Sequence, residues 1–195
     1  GYAGLAPLED GLTNVAFVAN SDRVAARDEG IDAFFEDALA GIPAVGERLA
    51  GAERVGGIRG VGRMAHRTRR TVGDGYLLVG DAASFLDPFT GEGIYEALKG
   101  ALLAAPVAIA ALRDRDTSTA ALAPYRDARR RAFAAKRQVC WIVQAFINSP
   151  VLMDYVTERL DGRRSVGRTL TGVLADMRPA RDALSPLFLA RLLRP

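Results

Sequence analysis

The sequence predicts an α+β fold: β-rich residues over 1–75, a strand–loop–helix unit over 76–118 and a helical region over 119–195. Three observations carry that reading. The first 90 or so residues are glycine-rich with short apolar runs, whereas the rest is rich in alanine, leucine and arginine with apolar residues at helical spacing. Asp10-Gly11 lies between the apolar runs Leu5–Leu8 and Val15–Val18, a hairpin signal. The compact apolar run Tyr76-Leu77-Leu78-Val79-Gly80 follows Gly73-Asp74-Gly75 and leads into a long helical pattern, as a buried strand feeding a helix would.

The other elements follow in order. Ile31, Phe34, Phe35, Ala38 and Leu39 recur at helical spacing, and Gly41 and Pro43 stop that helix. Val45–Leu49 reads as another short helix, and Ile58–Ala65 as a strand with Arg59 and Arg63 on one face. A long helix is expected from Gly91 to Arg113, with Ile94, Ala97, Leu98, Ala101, Leu102 and Ala105 as its inner stripe. Pro106 should kink or split it, because proline lacks an N–H and clashes with the preceding turn. A second helix is expected over 120–146. Ser149-Pro150 and Ser185-Pro186, each a serine cap before a first-turn proline, open two more.

Composition narrows the function classes. The chain has 195 residues, 49% apolar and 25% charged, which excludes a disordered tail, a collagen-like fibre and a disulfide-stapled miniprotein. Cys140 is the single cysteine and His66 the single histidine, so no internal disulfide forms and no His/Cys zinc cluster is expected. A lone cysteine suits a reducing, cytoplasmic location. The net charge is only +3, and the basic residues are interleaved with acids, so no nucleic-acid partner is expected. The longest unbroken apolar run, Ala101–Leu112, is twelve residues with Pro106 inside it, too short to span a bilayer. The chain opens on Gly1-Tyr2-Ala3-Gly4-Leu5, already strand-like, which reads as part of a longer protein.

Chemistry concentrates in residues 77–94. An apolar strand ends at Gly80 and Asp81 follows at its exit, where ligands of open α/β sheets sit. A carboxylate there accepts hydrogen bonds from sugar-like hydroxyls. Pro88 stiffens the loop, and Gly91 and Gly93 bracket a helix start where backbone can approach a ligand closely. The first N–H groups of that helix and its positive dipole end favour an electron-rich or anionic guest.

The string Gly80-Asp81-Ala82-Ala83 through Pro88-Phe89-Thr90-Gly91-Glu92-Gly93-Ile94 resembles the second flavin-binding motif of FAD-dependent oxidoreductases of the para-hydroxybenzoate hydroxylase superfamily. Pro-Phe-Thr-Gly-Glu-Gly-Ile is most similar to the geranylgeranyl reductase-like branch. The resemblance implies that Asp81 binds the ribityl chain of FAD, and that Gly80, Pro88, Gly91, Glu92, Gly93 and Ile94 bring backbone and the helix start to the isoalloxazine. Tyr2 and Pro7 weakly resemble a substrate-domain strand of the same branch, while Gly4 and Ala6 replace its bulky residues. The implied fold is part of a flavoprotein substrate-domain sheet, the second FAD motif and a helical C-terminal region. The implied function is C=C reduction of a hydrophobic substrate by flavin hydride transfer, with NAD(P)H as an electron donor. An FAD-dependent aromatic hydroxylase and a non-catalytic helical binding module are the alternatives. Gly60-Val61-Gly62-Arg63-Met64-Ala65 satisfies a loose dinucleotide pattern, but His66-Arg67-Thr68-Arg69-Arg70 follows it instead of an apolar helix. The adenine-binding Rossmann segment is therefore expected upstream of residue 1 and enters as a partner. Peripheral membrane contact and a homodimer are further partner readings.

The remaining conspicuous residues have two readings each. His66, Arg67, Arg69 and Arg70 are a solvated strand end or a contact for substrate or a nicotinamide phosphate, and Arg63 could approach the flavin. Arg126, Arg129, Arg130, Arg131, Lys136 and Arg137 are an exposed helix face or an anion-binding stripe. Cys140-Trp141 with Ile142, Val143, Phe146 and Ile147 are core or tunnel lining. Glu92 and Tyr95 are proton donors or, for Glu92, a support of its helix.

Overall fold

The computed structural model describes residues 1–25, 30–62, 64–86 and 88–193. The chain divides into two units, Gly1–Arg63 and Met64–Pro195. It mixes helices with small antiparallel sheets.

In the first unit, strands β1 (Tyr2–Pro7) and β2 (Thr13–Val18) form the expected hairpin, with Leu5 opposite Val15. Helix α1 covers Ser21–Ala25, α2 Ile31–Ala40 and α3 Pro43–Arg48. Burial is thin: Phe34 and Val45 are the buried apolar residues described here, and the Phe34 ring meets Phe17 at 6.1 Å. The strand expected over 58–65 does not form. Gly60 and Gly62 interrupt the run and Val61 is exposed, so the segment has no face to bury and no neighbouring strand. Arg63 lies outside the described residues.

The second unit opens with four short strands in two antiparallel pairs. β3 (His66–Arg67) pairs with β6 (Ser84–Phe85), and β4 (Val72–Gly73) pairs with β5 (Tyr76–Leu77). The expected buried strand over 76–79 is thus a two-residue arm, and Tyr76 is exposed. The Asp74-Gly75 turn folds the run back on its immediate predecessor, so a wider sheet is not needed to satisfy it. Asp74 Oδ1 accepts from the N–H and the Oγ1 of Thr119, each at 2.7 Å, and the Gly75 N–H donates to Thr117 O. The hairpin is tied there to the helix that follows.

Among the described residues six helices complete the unit: α4 (Glu92–Arg113), α5 (Thr119–Ile147), α6 (Pro150–Gly162), α7 (Arg164–Leu174), α8 (Arg181–Leu184) and α9 (Pro186–Leu193). The serine caps read from the sequence are present. Ser149 Oγ accepts from Leu152 N–H, and Ser185 Oγ from Phe188 N–H. Ser118 does the same for α5 through Ala121 N–H, so Ser118→Ala is expected to cost about 1 kcal/mol in urea unfolding. α4 runs through Pro106 as one helix.

The face of α4 differs from the expected stripe. Gly100, Ala104 and Ala111 are buried against β4 and α5, whereas Ile94, Leu98, Leu102, Ile109 and Leu112 are 59–78% exposed. The inner side of α4 consists of small residues because β4, the following turn and α5 approach it closely. The large apolar side chains therefore point away. α4 is also, among the described residues, long and apolar enough to cross a membrane by length and composition. The twelve-residue limit read from the sequence holds for an unbroken run but not for the whole helix.

Two cores hold the unit. One joins Val72, Ala104, Ala111, Leu122 and Tyr125. The other joins Val139, Val143, Val156, Val166, Val173, Ala183, Phe188 and Leu192 at the helical end. Cys140 and Val143 are core residues, while Trp141 is exposed, so that segment does not line one common space. His66, Arg67, Arg69 and Arg70 are exposed, as a solvated strand end would be.

Candidate functional site

The turn after β5 lies along α4, and two small positions on α4 allow it. Gly80 is buried with φ 57°, a conformation that side-chain-bearing residues rarely adopt. A β-carbon there would sit 3.1 Å from Ala97 Cβ, and one on Gly100 would sit 3.1 Å from Val79 Cγ1. From above, Tyr125, fully buried on α5, donates its hydroxyl to Leu78 O at 2.6 Å. Thr68 Oγ1 donates to Ala83 O. The turn is pinned at both ends.

What the turn presents is a helix start and an acid. Gly91 is the N-cap of α4, with φ 70° and no side-chain acceptor for the first N–H groups. Its own N–H donates to Pro88 O. Asp81 is exposed, and among the described residues its carboxylate has no hydrogen-bond or ion-pair partner. A β-carbon on Gly93 would lie 3.6 Å from Asp81 Oδ1 and 3.9 Å from Phe85 Cε2, so the missing side chain leaves that space open. Pro88, Gly91 and Ile94 are exposed beside it, and Asp87 lies outside the described residues. Backbone donors, one acceptor carboxylate and a gap that a β-carbon would fill suit a flat, polyhydroxylated, electron-rich group such as a flavin.

Glu92 is on the other side of the helix start. It is buried, and Lys136 Nζ on α5 stands 2.8 Å from its Oε1 as an ion pair out of line for a hydrogen bond. Lys136, also buried, meets Asp176 Oδ1 at 2.9 Å, Leu174 O at 3.2 Å and Val173 O. Burial raises the Glu92 pKa more than Lys136 lowers it. Burial would lower the Lys136 pKa, but the Asp176 and Glu92 carboxylates beside it outweigh that and the value rises. Because the folded Glu92 pKa lies above its ordinary 4.5, its contribution to stability is complete below that value and is lost as pH rises through the folded pKa. Glu92→Gln is therefore expected to flatten the decline of the urea midpoint between acidic and neutral pH; an unchanged slope would contradict the burial of this carboxyl.

One turn further along, Glu96 Oε2 receives Arg129 Nη2 at 3.1 Å and stands 3.5 Å from Arg137 Nη2. The same two guanidinium groups donate to Ser84 Oγ, at 3.2 and 2.7 Å. Arg129 stands over the Phe133 ring, and the Tyr95 ring meets Phe133 edge-on. The basic segment of α5 is thus split. Arg126, Arg130 and Arg131 form an exposed face, but Arg129 and Lys136 are buried and, with Arg137, hold the flavin-motif turn and α4 together. These supports were missed in the sequence. Their signal was the spacing of Arg129, Lys136 and Arg137 opposite two glutamates four residues apart.

No family model matches the chain. It is 32% identical over 135 residues to conditioned medium factor receptor 1 of Dictyostelium discoideum, covering 69% of this chain and 24% of that protein. It is 54% identical over 55 residues to a digeranylgeranylglycerophospholipid reductase of Methanosphaerula palustris, covering 28% of this chain and 14% of that protein. It is 28% identical over 129 residues to a flavin-dependent halogenase of Armillaria mellea, covering 63% and 25%. Its homologues include digeranylgeranylglycerophospholipid reductases and a flavin-dependent halogenase. The flavoprotein resemblance read from residues 80–94 is borne out, and those homologues are oxidoreductases. The chain spans a quarter or less of the length of the three relatives named.

The structure brings Gly80, Asp81, Pro88, Gly91, Gly93 and Ile94 to one turn and helix start. Glu92 shares the helix start, but its carboxylate is directed to Lys136.

Proposed function

We propose that this chain carries the isoalloxazine- and ribityl-side half of an FAD site in an oxidoreductase that reduces a C=C bond of a hydrophobic substrate. The observation that carries it is the pairing of an unengaged Asp81 with the glycine-capped start of α4. Bound FAD supplies hydride acceptance and donation. Asp81 accepts hydrogen bonds from the ribityl hydroxyls, Gly91 and Gly93 admit the ring edge to main chain, and the N–H groups near Gly93 and Ile94 face its electron-rich edge. The helix dipole stabilises negative charge there by about 0.3–1 kcal/mol. The Glu92–Lys136 pair fixes the helix start without touching the flavin.

The finer reading rests on the reductase named among the relatives and on the motif's likeness to the geranylgeranyl reductase-like branch. The halogenase among the relatives favours a second reading, flavin chemistry that uses O2. Turnover without O2 selects the reductase. In this reading NAD(P)H is the donor, and a Rossmann segment packs on the apolar side of α4 formed by the exposed Leu98, Leu102 and Ile109. Flavin binding itself is tested by titrating FAD into the protein and following flavin fluorescence. Asp81→Ala is expected to weaken binding about tenfold or more, the effect of removing a charge-assisted acceptor. Affinity unmoved by that substitution would end the assignment.

A further inference from the structure

Helices α7, α8 and α9 enclose a solvent-open cavity of about 460 Å3, a volume in the range of small-molecule sites. Three arginines line it, Arg178, Arg181 and Arg191, with one acid, Asp182. Elsewhere in this unit the structure pairs its central cations: Arg129, Lys136 and Arg137 all have acid partners. Among the described residues the three cavity arginines have none. All three arginines are exposed around the open cavity, and an anion seated there would offset the repulsion between like charges.

Arg178 is placed by main chain rather than left to wander. Its N–H and that of Met177 both donate to Gly172 O at 2.9 Å. A β-carbon on Gly172 would sit 3.0 Å from Arg178 Cδ and 3.2 Å from its Cγ, so the arginine stem lies against bare backbone. The segment leading to it is anchored by Lys136 through Val173 O, Leu174 O and Asp176. Ser165 and Thr169 add hydroxyls to the cavity wall, and Val166 and Phe188 give it a buried apolar floor.

We propose that this cavity binds a phosphate group, either on a soluble phosphate ester or on a lipid head. Guanidinium forks match phosphate oxygens two at a time, the hydroxyls supply neutral donors, and the floor excludes water from one side. The proposal goes beyond the flavin reading and does not depend on it, because the cavity has no residue of the flavin-motif turn.

The test uses the 195-residue chain without flavin. Calorimetry follows inorganic phosphate and pyrophosphate, and sedimentation follows phosphatidylcholine vesicles with and without phosphatidic acid. Arg178→Ala and Arg181→Ala are each expected to weaken binding by at least about tenfold. Gly172→Ala keeps every charge and is helix-compatible, but displaces the Arg178 stem; it is expected to weaken binding several-fold. Arg130→Ala with Arg131→Ala, on the exposed face of α5, should leave binding unchanged. Loss with soluble phosphates assigns a phosphate ester, and loss with phosphatidic acid vesicles alone assigns a lipid head. No binding in either arm, or equal loss from the α5 pair, overturns the proposal.

Discussion

Replacing Lys136 by methionine is expected to cost about 3–5 kcal/mol in urea unfolding, because Glu92 and two backbone carbonyls would be left in the interior without their cation. The ammonium group joins three elements at one point: the first residue of α4, the middle of α5 and the end of α7. Its loss should loosen the start of α4 as well as lower global stability, so flavin affinity should fall in the same variant. Adding Glu92→Leu should restore much of the stability, since an apolar pair removes the stranded charge. A cycle of the two single variants and the double variant measures the coupling directly. If the methionine variant unfolds within 1 kcal/mol or so of the parent, the buried ion cluster is not the clasp described here.

Tyr125→Ala is expected to have an effect of the same size, about 3–5 kcal/mol, for a different reason. Tyr125 is fully buried at the centre of the core that joins β4 to α4 and α5. Truncating it opens a cavity that helices on both sides can fill only by moving. Tyr125→Phe keeps the ring and removes only the hydroxyl that donates to Leu78 O, so about 1 kcal/mol is expected. The two together separate packing from anchoring of the turn. A phenylalanine variant as damaged as the alanine one would mean that the hydrogen bond to Leu78, not the ring, holds the turn in place.

The hairpin over Tyr2–Val18, the helix over Ile31–Ala40 and the starts of α6 and α9 were legible in the sequence, because each depends on interactions within a few residues: an Asp-Gly turn, a 3.6-residue apolar repeat, a serine oxygen three residues from its N–H. The flavoprotein resemblance carried by Gly80–Ile94 was legible for a related reason. A ligand met by main chain demands glycines and a proline at fixed spacing, and those demands are written locally.

The failures at the face of α4 and in the basic segment of α5 concern partners distant in sequence. Which face of α4 is buried could not be read, because it is set by the approach of Val79, Gly80 and Tyr125, not by the helix's own apolar content; the small residues turn inward and Ile94, Leu98 and Leu102 outward. The run over 58–65 had strand-like residues but no strand to pair with. By itself, then, the sequence determined the local elements, the turn with its free acid and the flavoprotein kinship. Only the tertiary structure decided that Glu92, Arg129 and Lys136 are buried clasps rather than surface charges. A charge's role depends on what faces it across more than 30 residues of chain, and on whether water can reach it.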